Sequence, residues 1–217
     1  MHFEILVEDK SGKIALEQIV PKIVPEDSTY KIISYRGIGR IPKNLNQNSD
    51  PSKRAFLNQL PRLLQGYGTA FSNYPKDYLA ALFIICDLDD RDLDSFLTEL
   101  NDVLDACNPK PDVSFCLAIE EGEAWFLGDL EAVIQAYPNS QKSILNAYVN
   151  DSICGTWELL ADAVYSGGHS DLKAKGYFAV GAEKCNWSEK IPPFMVIDAN
   201  KSPSFKHFVE CIQNYKE

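Results

Sequence analysis

Asp87 and Asp89 stand two residues apart in Cys86-Asp87-Leu88-Asp89-Asp90-Arg91-Asp92, directly after the apolar run Tyr78-Leu79-Ala80-Ala81-Leu82-Phe83-Ile84-Ile85. An apolar run broken abruptly by acids predicts a buried strand that ends in a carboxylate cluster. In open α/β sheets, ligands bind beyond the carboxyl ends of the strands. Side chains two apart on an extended chain point the same way, so both carboxylates are expected in one crevice. Hard oxygen donors at that spacing suit Mg²⁺ or Mn²⁺, which keep several waters and take few carboxylates.

Other acids occupy equivalent places. Glu8 closes the strand-like run Phe3-Glu4-Ile5-Leu6-Val7-Glu8, and Glu120 with Glu121 follows the apolar residues 113–119. In a parallel sheet these ends share one edge, where gathered like charges repel and a divalent ion resolves the conflict. The expected ligand set is Glu8, Asp87 and Asp89, with Glu120 assisting. Each cluster also has a plain structural explanation, because acids in the first turn of a helix complement its dipole. On that reading Asp92 is an N-cap, and Glu121 or Glu123 a first-turn acid.

The elements that must position these residues alternate along the chain. Strands are predicted at residues 3–8, 30–35, 79–86 and 113–119. Helices are predicted at 14–24, stopped by Pro25, at 53–65 with Pro61 as a kink, at 93–107 and at 124–136. Residues 9–13 read as a turn and 37–50 as an Asn-rich loop. The helix at 93–107 carries the clearest signal, with Leu93, Phe96, Leu97, Leu100, Val103, Leu104 and Cys107 at helical spacing. Such alternation implies an α/β fold with a parallel four-stranded sheet flanked by helices and joined by right-handed crossovers. After Tyr137 the pattern is helical only, at 157–165, 183–191 and 203–215. Residues 1–137 are therefore expected to form the α/β core, and 138–217 a helical extension packed on it as one structural unit.

Composition limits the function classes. At 217 residues and 45% hydrophobic, the chain can bury one sizeable core. No apolar stretch approaches the roughly 20 residues that span a bilayer, and the N-terminus lacks a signal-like apolar segment, so a cytoplasmic protein with no membrane partner is expected. Six scattered cysteines without a C-x-x-C pair fit neither zinc nor a disulfide framework; Cys86 and Cys116 read as small core residues. His2, His169 and His207 are isolated, with His169 in the loop-like Gly167-Gly168-His169-Ser170. Trp125, Trp157 and Trp187 read as packing residues. Gly37-x-Gly39 lacks the strand-turn-helix context of a dinucleotide site. Ser202 and Pro203 suit an N-cap and first helical position.

A net charge of −10 argues at first against a polyanionic partner. The distribution says more. Between Asp87 and Asp105 eight acids face one base, Arg91, whereas Arg36, Arg40, Lys43, Lys53, Arg54 and Arg62 face only Asp50. A basic segment beside an acidic metal site fits a held phosphate backbone; it fits an ordinary solvated loop and helix face equally well. Lys184 and Lys201 have the reach to contact phosphate oxygens, or are surface lysines.

Val7-Glu8-Asp9-Lys10-Ser11 followed by Cys86-Asp87-Leu88-Asp89 resembles the Toprim pattern of a strand-end Glu and a later Asp-x-Asp. The resemblance extends to small stand-alone bacterial Toprim-like proteins, related at the site to overcoming-lysogenization-defect nucleases. Ala118-Ile119-Glu120-Glu121-Gly122-Glu123-Ala124-Trp125-Phe126-Leu127 is similar to that group's acid pair and Glu-Ala-Trp segment. Its C-terminal signatures resemble Lys184-Cys185-Asn186-Trp187-Ser188-Glu189-Lys190-Ile191 and Asn200-Lys201-Ser202-Pro203-Ser204-Phe205-Lys206-His207-Phe208. The position after the strand-end Glu, commonly Gly in the family, is Asp9 here, and the long spacing from Glu8 to Asp87 implies an elaborated basic loop.

The resemblance implies a metal-dependent nuclease or nickase acting on DNA or RNA. Glu8 is then general acid/base and the Asp pair binds Mg²⁺ or Mn²⁺; apart from the resemblance, Lys184 is a second catalytic candidate, and the basic segment offers Arg36, Arg40 and Lys43 to hold nucleic acid. The related nucleases are fused to ATPases, and this chain has no G-x-x-x-x-G-K-[ST] loop, so any ATP-driven step belongs to a separate ATPase partner. The alternative is a catalytically silent Toprim-like interaction module that binds metal or an ATPase partner.

Overall fold

The computed structural model describes residues 1–37, 39–41 and 55–215. Its four strands are β1 (His2–Val7), β2 (Thr29–Ser34), β3 (Ala80–Asp87) and β4 (Val113–Ala118). They form one parallel sheet in the order β2-β1-β3-β4, as the alternating pattern predicts. β1 and β3 are nearly continuous apolar runs, which suit strands covered on both faces; they are buried almost end to end and lie at the centre. The more polar β2 is an edge strand, exposed at Thr29, Tyr30 and Lys31. Val7 stands opposite both Ser34 and Ile85, and the Glu8 amide donates to the Ile85 carbonyl at 3.2 Å. The carboxyl ends of β1 and β3 therefore finish level.

Two compact units make up the chain: Met1–Lys13 with Pro25–Leu117, and Ile14–Val24 with Ala118–Glu217. The division falls before the helices that follow β4, not at Tyr137, and places the segment after Lys13 in the second unit.

In the first unit, α2 (Phe56–Ser72) and α3 (Leu93–Asp105) accompany the sheet. Phe56, Leu57, Leu60 and Leu64 of α2 and Phe96 and Leu100 of α3 are buried, as are Phe3, Ile5, Leu82 and Phe83 of the sheet. α2 runs past Gly66 and Gly68, beyond the expected end, because a buried face outweighs the roughly 1 kcal/mol that each helical glycine costs. Pro61 lies inside it. Asp92 caps α3 as one reading of the sequence proposed, accepting from the Ser95 amide at 2.9 Å and the Ser95 hydroxyl at 2.7 Å.

α1 (Lys10–Ile19) begins inside the segment expected to be a turn. Its start is set by Asp9, whose carboxylate accepts from the Gly12 amide at 2.8 Å and the Ser11 hydroxyl at 2.6 Å. A Cβ on Gly12 would stand 2.6 Å from Val7 Cγ2.

The second unit is helical: α4 (Glu123–Leu127), α5 (Leu130–Ala136), α6 (Lys142–Leu145), α7 (Thr156–Val164), α8 (Gly168–Ala174), α9 (Tyr177–Lys190) and α10 (Pro203–Gln213). The single helix expected at 124–136 is two, because the Asp129 carboxylate caps α5 at the Ala132 amide, 3.2 Å, and also accepts from the Val196 amide at 2.9 Å. Trp125 stacks on Phe208 with centroids 5.1 Å apart and meets Phe205 edge-on at 5.5 Å. Its indole N–H donates to the Ser204 hydroxyl at 3.0 Å. Buried Asn200 donates to the Trp125 carbonyl at 2.8 Å and accepts from the Ser202 amide, and Ser202 caps α10 at the Phe205 amide. The Glu-Ala-Trp and Asn-Lys-Ser-Pro segments thus interlock as one packing and capping device.

Candidate metal centre

Glu8 directly follows β1 and Asp87 ends its neighbour β3, and the Asp87 amide donates to Glu8 Oε2 at 3.2 Å. Beneath them Cys86 is 2% exposed. Burial pushes its thiol well above the ordinary range, and the negative charges of Glu8, Asp87 and Asp89 push the same way against the opposing Arg91.

Asp89 departs from the expected geometry. The chain leaves the strand after Asp87, and Asp89 sits in a turn with φ of 52°. Short polar side chains tolerate this left-handed region, but extended-chain alternation no longer applies. Arg91 Nη1 donates to Asp89 Oδ2 at 2.9 Å and its guanidinium lies 4.9 Å from the Phe96 ring centroid. Glu8, Asp87 and Asp89 do not gather three carboxylates within 4.8 Å of one another. The donor chemistry nonetheless fits Mg²⁺ or Mn²⁺, since Mg²⁺ sites are commonly built from one or two carboxylates with waters completing the shell.

The acids after β4 are differently engaged. Glu120, with φ of 61°, accepts from the amides of Cys154, Gly155 and Thr156 at 3.1, 2.9 and 3.0 Å and from the Thr156 hydroxyl. The first residue of α7 is Thr156, and its N-cap, Gly155, has no capping side chain; Glu120 performs that task from a distant segment. Burial alone would raise its carboxyl, yet these donors hold it below the ordinary range. Lys184 Nζ lies 3.3 Å from Glu121 and 3.2 Å from Glu123, with Glu123 buried. Burial pushes Glu121 up to about 7 against the pull of Lys184, and Glu123 adds to the rise. Lys184, a sequence candidate for catalysis, here links two carboxylates within the second unit. Glu120 belongs to that unit, and Glu8, Asp87 and Asp89 to the first.

Arg36, Arg40 and Arg62 are exposed, and the Arg40 amide donates to Asn58 Oδ1 at 3.1 Å. Lys43, Lys53 and Arg54 lie outside the described residues. Cys86 and Cys116 are core residues as expected. The histidines are less isolated than the sequence suggests. His2 contacts Glu4 at 3.4 Å and Thr29 at 2.7 Å. His169 lies on α8, not in a loop, and its Nδ1 is 2.8 Å from each Asp162 oxygen. Sequence reasoning missed Thr156 as the partner of Glu120, and Asp151, which accepts from the Ser202 hydroxyl and the Ser204 amide at 2.7 and 2.6 Å. Both pairings span long stretches of chain and leave no periodic signal. Comparison with protein-family models, with curated proteins and with solved structures finds no match for this chain.

Proposed function

We propose that the protein is a divalent-metal-dependent phosphodiesterase acting on nucleic acid, with its centre at Glu8 and Asp87. The observation that carries this reading is the pair of acids at the level carboxyl ends of the two central parallel strands, joined by the Asp87 amide on Glu8 Oε2. That edge is where open α/β sheets place their chemistry. A bound Mg²⁺ or Mn²⁺ would supply an activated water and charge stabilisation at the leaving oxygen. Asp87 and Glu8 would hold the ion, and Asp89 would join them on releasing Arg91. Glu8 orients against the Asp87 backbone and, by the Toprim resemblance, moves the proton at the departing oxygen. Exposed Arg36 and Arg40 contact phosphates of the substrate. Glu120 and Lys184, with their partners inside the second unit, stand outside the catalytic set.

The test is cleavage of supercoiled plasmid and of single-stranded DNA and RNA by the purified chain in Mn²⁺. Activity lost with EDTA and in Asp87→Ala supports the reading; activity unchanged in Asp87→Ala overturns it. The Asp89–Arg91 pair favours one rival, a silent module in which the acid edge is neutralised internally and an ATPase partner is bound. Cleavage by the isolated chain rejects that rival.

A further inference from the structure

Asp162 lies on α7 of the second unit, and His169 and Ser170 lie on α8. The His169 amide donates to Asp162 Oδ1 at 2.7 Å, and the ring Nδ1 is 2.8 Å from each Asp162 oxygen. A carboxylate at Nδ1 places the ring proton there, so Nε2 keeps the lone pair. That nitrogen is 3.3 Å from the Ser170 hydroxyl. The turn between the two helices is built for this approach. Gly167 and Gly168 have φ of 88° and 67°, and a Cβ on Gly168 would collide with Asp162 Oδ1. The Asp162 carbonyl accepts from Gln141 Nε2 at 2.8 Å, and Leu160 and Ala161 of α7 and Leu172 of α8 are buried, so carboxylate and ring stand on anchored helices. Burial alone would raise the Asp162 carboxyl, yet the amide and ring of His169 hold it below the ordinary range. Capping α8 requires only the amide; the ring and the hydroxyl beyond it exceed that task.

We infer that Ser170 is an activated nucleophile that takes acyl groups from small carboxylic esters. A hydroxyl on a ring nitrogen whose opposite nitrogen is held by a carboxylate is the arrangement that makes serine nucleophilic, and it is recognised by these roles on any fold. The Ser170 oxygen bonds to the acyl carbon as its proton passes to His169 Nε2. The bond from that carbon to the leaving alkoxide then breaks, and His169 returns the proton to the departing oxygen. Water repeats the sequence on the acyl-serine and restores the hydroxyl. Ser170 is exposed and the His169 and Asp162 side chains are each 37% exposed, so the hydroxyl meets esters directly from solvent. The carboxylates of Asp162 and of the sequence neighbour Asp171 oppose an anionic acyl donor, which leaves uncharged esters as the class. Similar residue types meet at His2, but there the hydroxyl is the branched Thr29, and the carboxylate of Glu4 is 3.4 Å away and also accepts from Tyr67 at 3.2 Å. None of these residues belongs to the proposed metal centre.

The full chain is treated in EDTA with a fluorophosphonate, which phosphonylates an activated serine with loss of fluoride, and the modified residue is located by peptide mass spectrometry. Hydrolysis of 4-nitrophenyl acetate is followed in parallel on wild type, Ser170→Ala, His169→Gln and Asp162→Asn. Ser170 should carry the label. His169→Gln should slow labelling and Ser170-dependent ester hydrolysis at least about a hundredfold, and Asp162→Asn should slow both by releasing the ring from its tautomer. Ser170→Ala and His169→Gln keep the amide on Asp162, so their unfolding midpoints should match wild type. An unlabelled Ser170, or equal ester hydrolysis in wild type and Ser170→Ala, overturns the inference. Labelling at Thr29 in place of Ser170 overturns it as well. Metal-dependent cleavage is read separately in Mn²⁺, so the two readings fail independently.

Discussion

The acids that end β1 and β3 and the acids that follow β4 read alike in the sequence, but their surroundings differ. Glu120 is surrounded by four donors, and Glu121 and Glu123 share Lys184. At Glu8 and Asp87 the backbone amide of one acid donates to the carboxylate of the other. One cluster holds a helical unit together; the other presents negative charge at a sheet edge. Acid content alone does not identify a capping set. The amides and hydroxyl on Glu120, and the lysine between Glu121 and Glu123, do.

Substitutions should divide along the same line. The largest effect is expected on activity: Asp87→Ala should lower Mn²⁺-dependent cleavage by about three orders of magnitude, since such an ion contributes several kcal/mol at the transition state. Its unfolding midpoint should shift little. Lys184→Met should do the reverse, removing about 3–5 kcal/mol of stability by leaving two largely buried carboxylates without their cation. Adding Glu121→Gln and Glu123→Gln to it should restore much of that loss, as measured by urea unfolding. Glu120→Ala should cost about 2 kcal/mol through the lost cap of α7, with cleavage retained below its unfolding transition.

A pH series sharpens the contrast within the second unit. Glu121 keeps its proton up to about 7 when folded but loses it near 4.5 when unfolded. The folded state thus binds more protons between those values, and this residue's contribution to stability falls as pH rises through that window. Glu120 acts oppositely: its lowered carboxyl stabilises above 4.5, and that contribution is lost as pH falls through its folded value. Unfolding of Glu121→Gln from pH 4.5 to 7 should show a flatter profile than wild type. The smallest effect belongs to Arg91→Ala, whose partly exposed pair with Asp89 should cost no more than about 1 kcal/mol. A gain in Mn²⁺ affinity in this variant would show Asp89 joining the ligand set.

The sheet was legible because β1 and β3 are apolar runs with no competing period, and Asp92 and Ser202 were legible as caps because they act on their own helices. Start points set by a cap inside an apparent turn, as Asp9 does for α1, were not. Neither was the left-handed turn at Asp89, which depends on one backbone angle, nor the capping of α7 by Glu120, which depends on a partner far along the chain. The strand-end positions of Glu8 and Asp87 were therefore legible from the apolar runs before them, whereas the partners of Glu120 and Lys184 depend on contacts far along the chain.

Mn²⁺ titration of the purified chain by calorimetry tests the central claim most directly, in wild type, Asp87→Ala, Glu8→Gln and Glu120→Gln. Binding should be abolished or strongly weakened in the first two variants and preserved in Glu120→Gln under conditions where all are folded. Undiminished Mn²⁺ binding in Asp87→Ala and Glu8→Gln would contradict the account.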